Sequence, residues 1–467
     1  MKILLVESGV TAPERFVYQC YPPHGLLYLA SYLRKKMPGH QLRLFDMMEK
    51  RARPEALRNE LISFAPDLVA IHAMTFQASC LHAVAALVKQ WNPHCAVAVG
   101  GPHPSAMPER VMEDQHIDLA ALGEGEDTFV ELVERLDRGA SLAGIAGTVA
   151  RHEGEPVRGP DRPFIENLDE LPFPAWDLIE LRRYFSDVML NQNDITCRRE
   201  LTTIFTSRAC PFNCIFCHHL FGKQFRARSP ESVLEEIELL YREHGIRELH
   251  VIDDCFNFQP ERAMTILEGV LQKGLDLKFA FPNGIRGDRV PAELLALMVR
   301  AGVYKVNFGI ESGSPRLQKL IKKGLDLDRI RDGIERTAAR RIFTHGFFML
   351  GFPGETRSEM KETIEFACRS RLHTAGFALL TPFPGTEVHR MALATGKRVE
   401  FDPDDASYMR LSGNLTAEDD ATLAAMHRRA HWKFYGSPRR LYRVLADMPR
   451  PADFVKVGLK HFRLKFL

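Results

Sequence analysis

Short apolar runs alternate with stretches of helical periodicity twice along this chain, and that alternation constrains the fold more than any other feature. In the first series Lys2–Glu7, Gln41–Asp46, Ala65–Ala73, Cys95–Gly100 and Leu119–Leu122 read as strands, with Gly25–Lys36 and Ser79–Trp91 among the intervening helices. Strands separated by helices pair parallel through crossovers and are covered on both faces. The reading is α/β: a flavodoxin- or Rossmann-like doubly wound parallel sheet over residues 1–150. A stretch richer in proline and polar residues follows, with D-E-L-P-F-P-A-W-D-L at Asp169–Leu178, and is expected to be a linker over 151–198.

The second series places strands at Leu201–Ser207, Leu249–Asp253, Lys278–Pro282, Tyr304–Ile310, Phe343–Leu350 and Gly376–Thr381, with helices such as Ser232–His244 and Ala292–Ala301 between them. Six such units predict a partial (β/α)6 TIM-type barrel over 199–395, followed by a small basic helical region over 396–467. In both architectures ligands gather beyond the carboxyl ends of the strands, where Gly, Ser, Thr and His residues cluster here.

Composition enters as a set of exclusions. With 45% hydrophobic and 26% charged residues, the chain is not globally disordered. No run approaches the roughly 20 apolar residues that cross a bilayer, and M-K-I-L-L-V-E-S-G is too short and too soon charged for a signal peptide. Nine cysteines in 467 residues make no disulfide scaffold, so a reducing cytoplasm is expected. Charge nearly balances at +2, but residues 427–467 carry 11 Lys/Arg against 2 Asp/Glu. That tail reads as a helical cap with a solvated basic face, or as an amphipathic surface for anionic lipid or an acidic substrate. No nucleic-acid motif accompanies it, so no nucleic-acid partner is expected.

The sharpest local signal is C-P-F-N-C-I-F-C, with Cys210, Cys214 and Cys217 spaced C-x3-C-x2-C directly after the first barrel strand. Three thiolates on one tight loop suit three corners of a 4Fe–4S cube and leave one iron open. The competing reading is a zinc site completed by His218 or His219. The other six cysteines, Cys20, Cys80, Cys95, Cys197, Cys255 and Cys368, form no C-x-x-C pair and read as small buried apolar residues, Cys255 alone lying in a motif.

This spacing, with Phe216 before the last cysteine, resembles the radical S-adenosylmethionine (SAM) superfamily over about Leu201–Arg390. The resemblance implies that SAM chelates the open iron and is cleaved reductively to a 5′-deoxyadenosyl radical that abstracts hydrogen from an unactivated carbon. It further implies SAM contacts from Phe216, from Asp253 and Asp254 in H-V-I-D-D-C-F-N-F, and from Glu311 and Ser312 in N-F-G-I-E-S-G-S. Leu350 and Gly351 in F-M-L-G-F-P-G-E-T and Thr381 in L-L-T-P-F-P-G-T complete that set, although the first of these departs from the stricter G-x-I-x-G-x-x-E form.

Upstream, P-P-H-G-L-L-Y-L-A (Pro22–Ala30), M-T-F (Met74–Phe76), G-G-P-H-P-S (Gly100–Ser105) and G-E-G-E-D-T (Gly123–Thr128) fall in order at strand ends. Joined to the cysteine loop, they resemble the cobalamin-binding radical SAM class. The resemblance implies corrinoid contacts at Thr75, Gly100, Gly101, His103, Gly123, Glu124 and Gly125. The D-x-H-x-x-G motif, whose histidine ligates cobalt from below, is absent; His24, His72 and His103 lie in other contexts. Cobalamin is therefore expected with its own base displaced and no protein histidine on its lower face.

The activity implied is carbon methylation of a small-molecule or lipid-like substrate with a 4Fe–4S cluster, SAM and cobalamin. Cyclisation, ring contraction or rearrangement with the same cofactors is the alternative, and a non-catalytic corrinoid or redox sensor the next. A flavodoxin or ferredoxin is the implied electron donor. The expected location is the cytoplasm, with peripheral membrane contact open through the basic tail.

Overall fold

The computed structural model describes residues 1–10, 21–185, 195–396 and 413–450; Cys20 and the last part of the basic tail, 451–467, lie outside the described residues. The chain forms two compact units, the first built on Met1–Tyr184 and the second on most of the remainder.

In the first unit β1 (Lys2–Glu7), β2 (Gln41–Asp46), β3 (Leu68–His72), β4 (Ala96–Gly100) and β5 (Leu119–Ala121) pair parallel in the order β2-β1-β3-β4-β5. That is the doubly wound order, with its reversal between β1 and β3. Period-two side chains split the core: Leu4 and Val6 join one apolar cluster and Ile3 and Leu5 the other, one on each face.

The first five strands form the expected doubly wound parallel sheet, and the sheet continues past residue 150. An antiparallel hairpin, β6 (Thr148–His152) and β7 (Glu155–Arg158), extends the edge beyond β5, so the segment 151–198 is not all linker. Glu153 and Gly154 turn it with φ of 52° and 90°, the positive pair that a tight two-residue hairpin requires.

In the second unit β8 (Leu201–Ile204) is followed by a short ribbon, β9 (Ser207–Arg208) with β10 (Arg226–Ala227), and then by β11 (Glu248–Val251), β12 (Lys278–Ile285), β13 (Val303–Glu311), β14 (Phe343–Leu350) and β15 (Thr374–Leu379). The six main strands pair parallel in unbroken chain order, β8-β11-β12-β13-β14-β15. An order without reversal is that of a barrel wall rather than a doubly wound sheet.

β15 ends this sheet, and the helix Asp420–Tyr435 packs along it. The Tyr435 hydroxyl receives the Ala375 N–H at 3.1 Å and donates to the Ala375 carbonyl at 2.7 Å, and His427 Nε2 donates to the Phe377 carbonyl at 2.9 Å. Arg440, 3% exposed, reaches the carbonyls of Leu372, Cys368 (2.8 Å) and Ser370 (3.3 Å), at and beyond the end of the helix Arg357–Arg369. A cation there complements the helix dipole, so part of the tail's basic charge is spent inside the fold. Among the described residues, no helix is long and apolar enough to cross a membrane.

Candidate functional site

The cysteine loop is fixed at its neck. β9 pairs with β10, Ser207 against Ala227 and Arg208 against Arg226, and closes the base of the loop that holds Cys210, Cys214 and Cys217. Ala209, just inside, is 1% exposed with φ 70°; the left-handed region costs an alanine about 1 kcal/mol, so its surroundings impose it. Asp253 supplies much of that constraint. It accepts the Thr206 N–H at 2.6 Å, the Thr206 hydroxyl at 2.5 Å and the Ser207 hydroxyl at 2.6 Å. Arg262 adds a bond to the Thr206 carbonyl at 2.7 Å. Burial pushes the Asp253 carboxyl upward against these donors. At 1% exposure Asp253 braces the loop from within. Asp254 accepts the N–H of Ala209 and braces the same turn.

A second anchor lies mid-loop. Ile215 donates its N–H to the Ile321 carbonyl at 3.2 Å and accepts the Val388 N–H at 2.9 Å. Its side chain is buried with Leu317, Ile321, Phe352, Leu380 and Val388, and Phe216 packs against that cluster. The loop is thereby tied to chain following β13, β14 and β15. Cys217 closes a turn onto the Cys214 carbonyl at 3.1 Å.

The Cys255 thiol, 2% exposed, donates to the Cys210 sulfur and draws that group below the usual thiol range. Sequence reading took Cys255 as a small buried residue; its position against Cys210 follows only from the fold. Among the described residues, no three His, Cys, Asp or Glu side chains converge as the ligands of one metal ion would. The ligands of a cube hold separate irons and need not converge so tightly. Three thiols on one loop, pinned at neck and middle, one already inclined to the thiolate, fit a 4Fe–4S cluster.

Glu311 ends β13 at φ 67° and 7% exposure, where the pairing with β14 slips register. Its Oε1 accepts from Lys323 Nζ at 2.7 Å. A Cβ on Gly309 would stand 2.7 Å from that nitrogen and 2.8 Å from that oxygen, so glycine makes room for the pair. Lys323 Nζ also lies 5.9 Å from the centre of the Phe216 ring. Burial works against the lysine's charge, but Glu311 and Cys214 outweigh it and hold the ammonium above its usual range. The structure thus brings Glu311, Phe216 and the cysteines together around Lys323, a residue the sequence reading missed. No motif marks it.

The remaining expected SAM contacts divide. The Ser312 hydroxyl, fully buried, lies 3.1 Å from Thr363 Oγ1 and takes the Ser314 N–H at 3.1 Å, so it faces into the fold. Leu350 is buried and its carbonyl takes the Leu380 N–H at 2.8 Å. Gly351, at φ 111°, gives its N–H to the buried Glu355 carboxylate at 2.6 Å. Thr381, 7% exposed, has its carbonyl bonded to the Phe383 N–H at 2.9 Å. These residues shape the strand ends through backbone.

On the first unit the expected corrinoid residues do gather at the carboxyl edge. Thr75 opens a short 3-10 turn after β3, and Gly100 and Gly101 close β4, Gly101 at φ 103°. His103 is 2% exposed with no partner at Nδ1, and burial, aided by His82 and Arg110, holds it down to about 4. It is a neutral packed imidazole. Gly123, φ 71°, donates its N–H to Ser105 Oγ at 3.0 Å. Glu124 is buried with Oε2 on the Ile165 N–H at 2.9 Å, and Gly125 sits against Leu29. The sequence reading missed Asp46, Glu7 and Gln77 on this edge and named His72 only as lying outside the cobalt-ligating motif; the one signal is that Asp46, Glu7 and His72 are the last residues of their strands.

Comparison with known proteins agrees with both halves. Residues 204–367 match the model of the radical SAM superfamily, and residues 16–133 match the model of the B12 binding domain. The chain is 34% identical to an uncharacterized methyltransferase, PH0819, of Pyrococcus horikoshii, over 94% of each chain. It is 30% identical to the cytidylyl-2-hydroxyethylphosphonate methyltransferase of Streptomyces wedmorensis, over 92% of this chain and 89% of that one. Among solved structures it resembles the cobalamin-dependent S-adenosylmethionine radical enzyme OxsB with aqua-cobalamin and S-adenosylmethionine bound, at TM-score 0.78 and 19% identity, covering 100% of this chain and 72% of that one.

Proposed function

The chain belongs to the cobalamin-dependent radical SAM methyltransferases, and we propose that it methylates an unactivated carbon of a small-molecule substrate. The observation that carries this reading is the doubly anchored loop of Cys210, Cys214 and Cys217 at the carboxyl edge of a parallel sheet, with Glu311 and Lys323 beside it. When bound, a 4Fe–4S cluster with SAM supplies one-electron chemistry at carbon, and a corrinoid supplies the methyl group.

The chain's own residues do the rest. Cys210, Cys214 and Cys217 would hold three irons and leave the fourth for SAM. Asp253 and Ile215 tie the loop that carries those thiols at its neck and at its middle. The Glu311 carboxylate and Lys323 ammonium present opposite charges where the zwitterionic amino acid end of SAM would lie. Phe216 packs on the Ile215 cluster beside them. A flavodoxin or ferredoxin is the electron donor in this reading. The small-molecule substrate accords with the Streptomyces relative, whose name gives a cytidylyl phosphonate.

The test is anaerobic reconstitution with iron, sulfide and cobalamin under a chemical reductant. S-adenosylhomocysteine and 5′-deoxyadenosine forming in step with methylated product support methyl transfer. Product without S-adenosylhomocysteine would favour cyclisation or rearrangement, and no SAM cleavage at all would favour a sensor.

A further inference from the structure

Four neighbouring strands of the first sheet end in one register row. Asp46 stands beside Glu7, Glu7 beside His72, and His72 beside Gly100. Register partners in a parallel sheet point to the same face, so the three side chains line up. His72 Nδ1 lies 2.7 Å from Glu7 Oε2. The other Glu7 oxygen accepts from Gln77 Nε2 at 3.2 Å, and Gln77 Oε1 takes the Met74 N–H at 2.6 Å. Past Glu7, Asp46 is 3% exposed and accepts the Tyr184 hydroxyl at 2.7 Å. Glu7 and Asp46 are thus the carboxyl groups that face the imidazole; burial works against its protonated form, and Glu7 and then Asp46 favour it, although burial and Glu7 push the Asp46 carboxyl itself up to about 7. The opposite edge of the ring lies on Gly101: a Cβ there would stand 2.6 Å from Cδ2 and 2.7 Å from Nε2. His72 therefore has one nitrogen fixed by a carboxylate and the other turned to the glycine loop that closes β4. Glu7 and His72 meet where the strand order reverses, the position at which doubly wound sheets take their ligands.

We propose that His72 is a recognition residue for the corrinoid: with Nδ1 tied to Glu7, its Nε2–H donates to an acceptor on the cofactor's nucleotide loop. This rests on the corrinoid reading above. A carboxylate-backed imidazole makes a charge-assisted donor, stronger and shorter than a neutral one. The nucleotide loop offers its phosphate oxygens, its ribose oxygens and the nitrogen of its base as acceptors, and the rest of the corrin offers no anion. Gly101 is required because any side chain there would occupy the space of the ring.

The experiment titrates the full chain, purified without corrinoid, with cobalamin, with cobinamide phosphate and with cobinamide, which lacks the nucleotide loop, reading the cobalt absorbance. The wild type should bind cobalamin at least about tenfold more tightly than cobinamide. His72→Ala should bring the two within about threefold by weakening cobalamin alone. His72→Gln, which keeps a donor, should recover part of the difference, and Glu7→Gln should fall between. Cobinamide phosphate tracking cobalamin would name the phosphate as the acceptor, and tracking cobinamide would name the ribose or base beyond it; either supports the proposal. Equal weakening of both ligands by His72→Ala, or no change, overturns it, with thermal melts of each variant distinguishing a lost contact from a lost fold. Wild type that binds no corrinoid overturns the cofactor reading itself, and this inference with it.

Discussion

Lys323 Nζ stands 2.7 Å from Glu311 Oε1, above backbone that Glu311 holds at φ 67°. Both side chains are largely buried, with 13% and 9% of their surface exposed. Removing one partner strands the other's charge, at a cost of about 3 kcal/mol. Lys323→Met and Glu311→Gln should each lower the melting temperature, and the double variant should recover most of that loss. None of the three should hold SAM within tenfold of wild-type affinity, on the order of 1.4 kcal/mol. Equilibrium dialysis beside thermal melts reads both quantities. A double variant that binds SAM normally would reduce the pair to a structural ion pair.

Asp253 receives three short hydrogen bonds from the neck of the cysteine loop. Asp253→Asn replaces one acceptor with an amide donor facing hydroxyl donors, and should cost on the order of 2–4 kcal/mol. The expected sign is a lowered denaturant midpoint together with poor iron retention after anaerobic reconstitution. Full iron content in a destabilised Asp253→Asn protein would show that the loop is ordered without its brace.

Cys210→Ala, Cys214→Ala and Cys217→Ala should each abolish the visible absorbance of the iron–sulfur cluster that their thiolates would hold. Cys255→Ala should leave that absorbance and shift the reduction potential, because a hydrogen bond to a ligand sulfur is lost. Loss of the cluster in Cys255→Ala would make it a ligand instead of a neighbour.

His103 is held down to about 4, chiefly by burial. The unfolded chain, with histidine near 6.5, therefore binds the proton first as pH falls. The stability from a neutral buried His103 is complete above about pH 6.5 and is lost progressively toward pH 4, up to roughly 3 kcal/mol. His103→Phe carries no such proton. Urea unfolding from pH 7.5 to 4.5 should show the wild type losing its advantage over the variant as acidity rises. Parallel curves would mean that His103 titrates normally in the fold.

Strands buried on both faces were legible because burial demands unbroken apolar runs. Lys2–Glu7 and Phe343–Leu350 appear in the structure at the residues the sequence indicated, and Gln41–Asp46, half exposed, was legible from its alternation instead. The hairpin Thr148–Arg158 was not, since its outer strand Glu155–Arg158 is wholly exposed and carries no periodicity to read. Glu153–Gly154 was its one local signal. At the site, the cysteines and Glu311 were legible from spacing and from position at a strand end. Asp253 was visible as a residue but not as a brace, because its direction depends on a turn 46 and 47 residues away. The Glu7–His72 contact joins residues 65 apart, and only strand register brings them together.

The clasp of Tyr435 on Ala375 reaches beyond the barrel's own architecture. A terminal strand with bare N–H and C=O groups is a template on which a second molecule can add its own strand. Forms shortened before residue 420 would lose Tyr435, His427 and Arg440 at one stroke and leave β15 open to intermolecular pairing. Insolubility on trimming the basic tail would then report unsheathed backbone, and reading it as a loss of charge would mistake the cause.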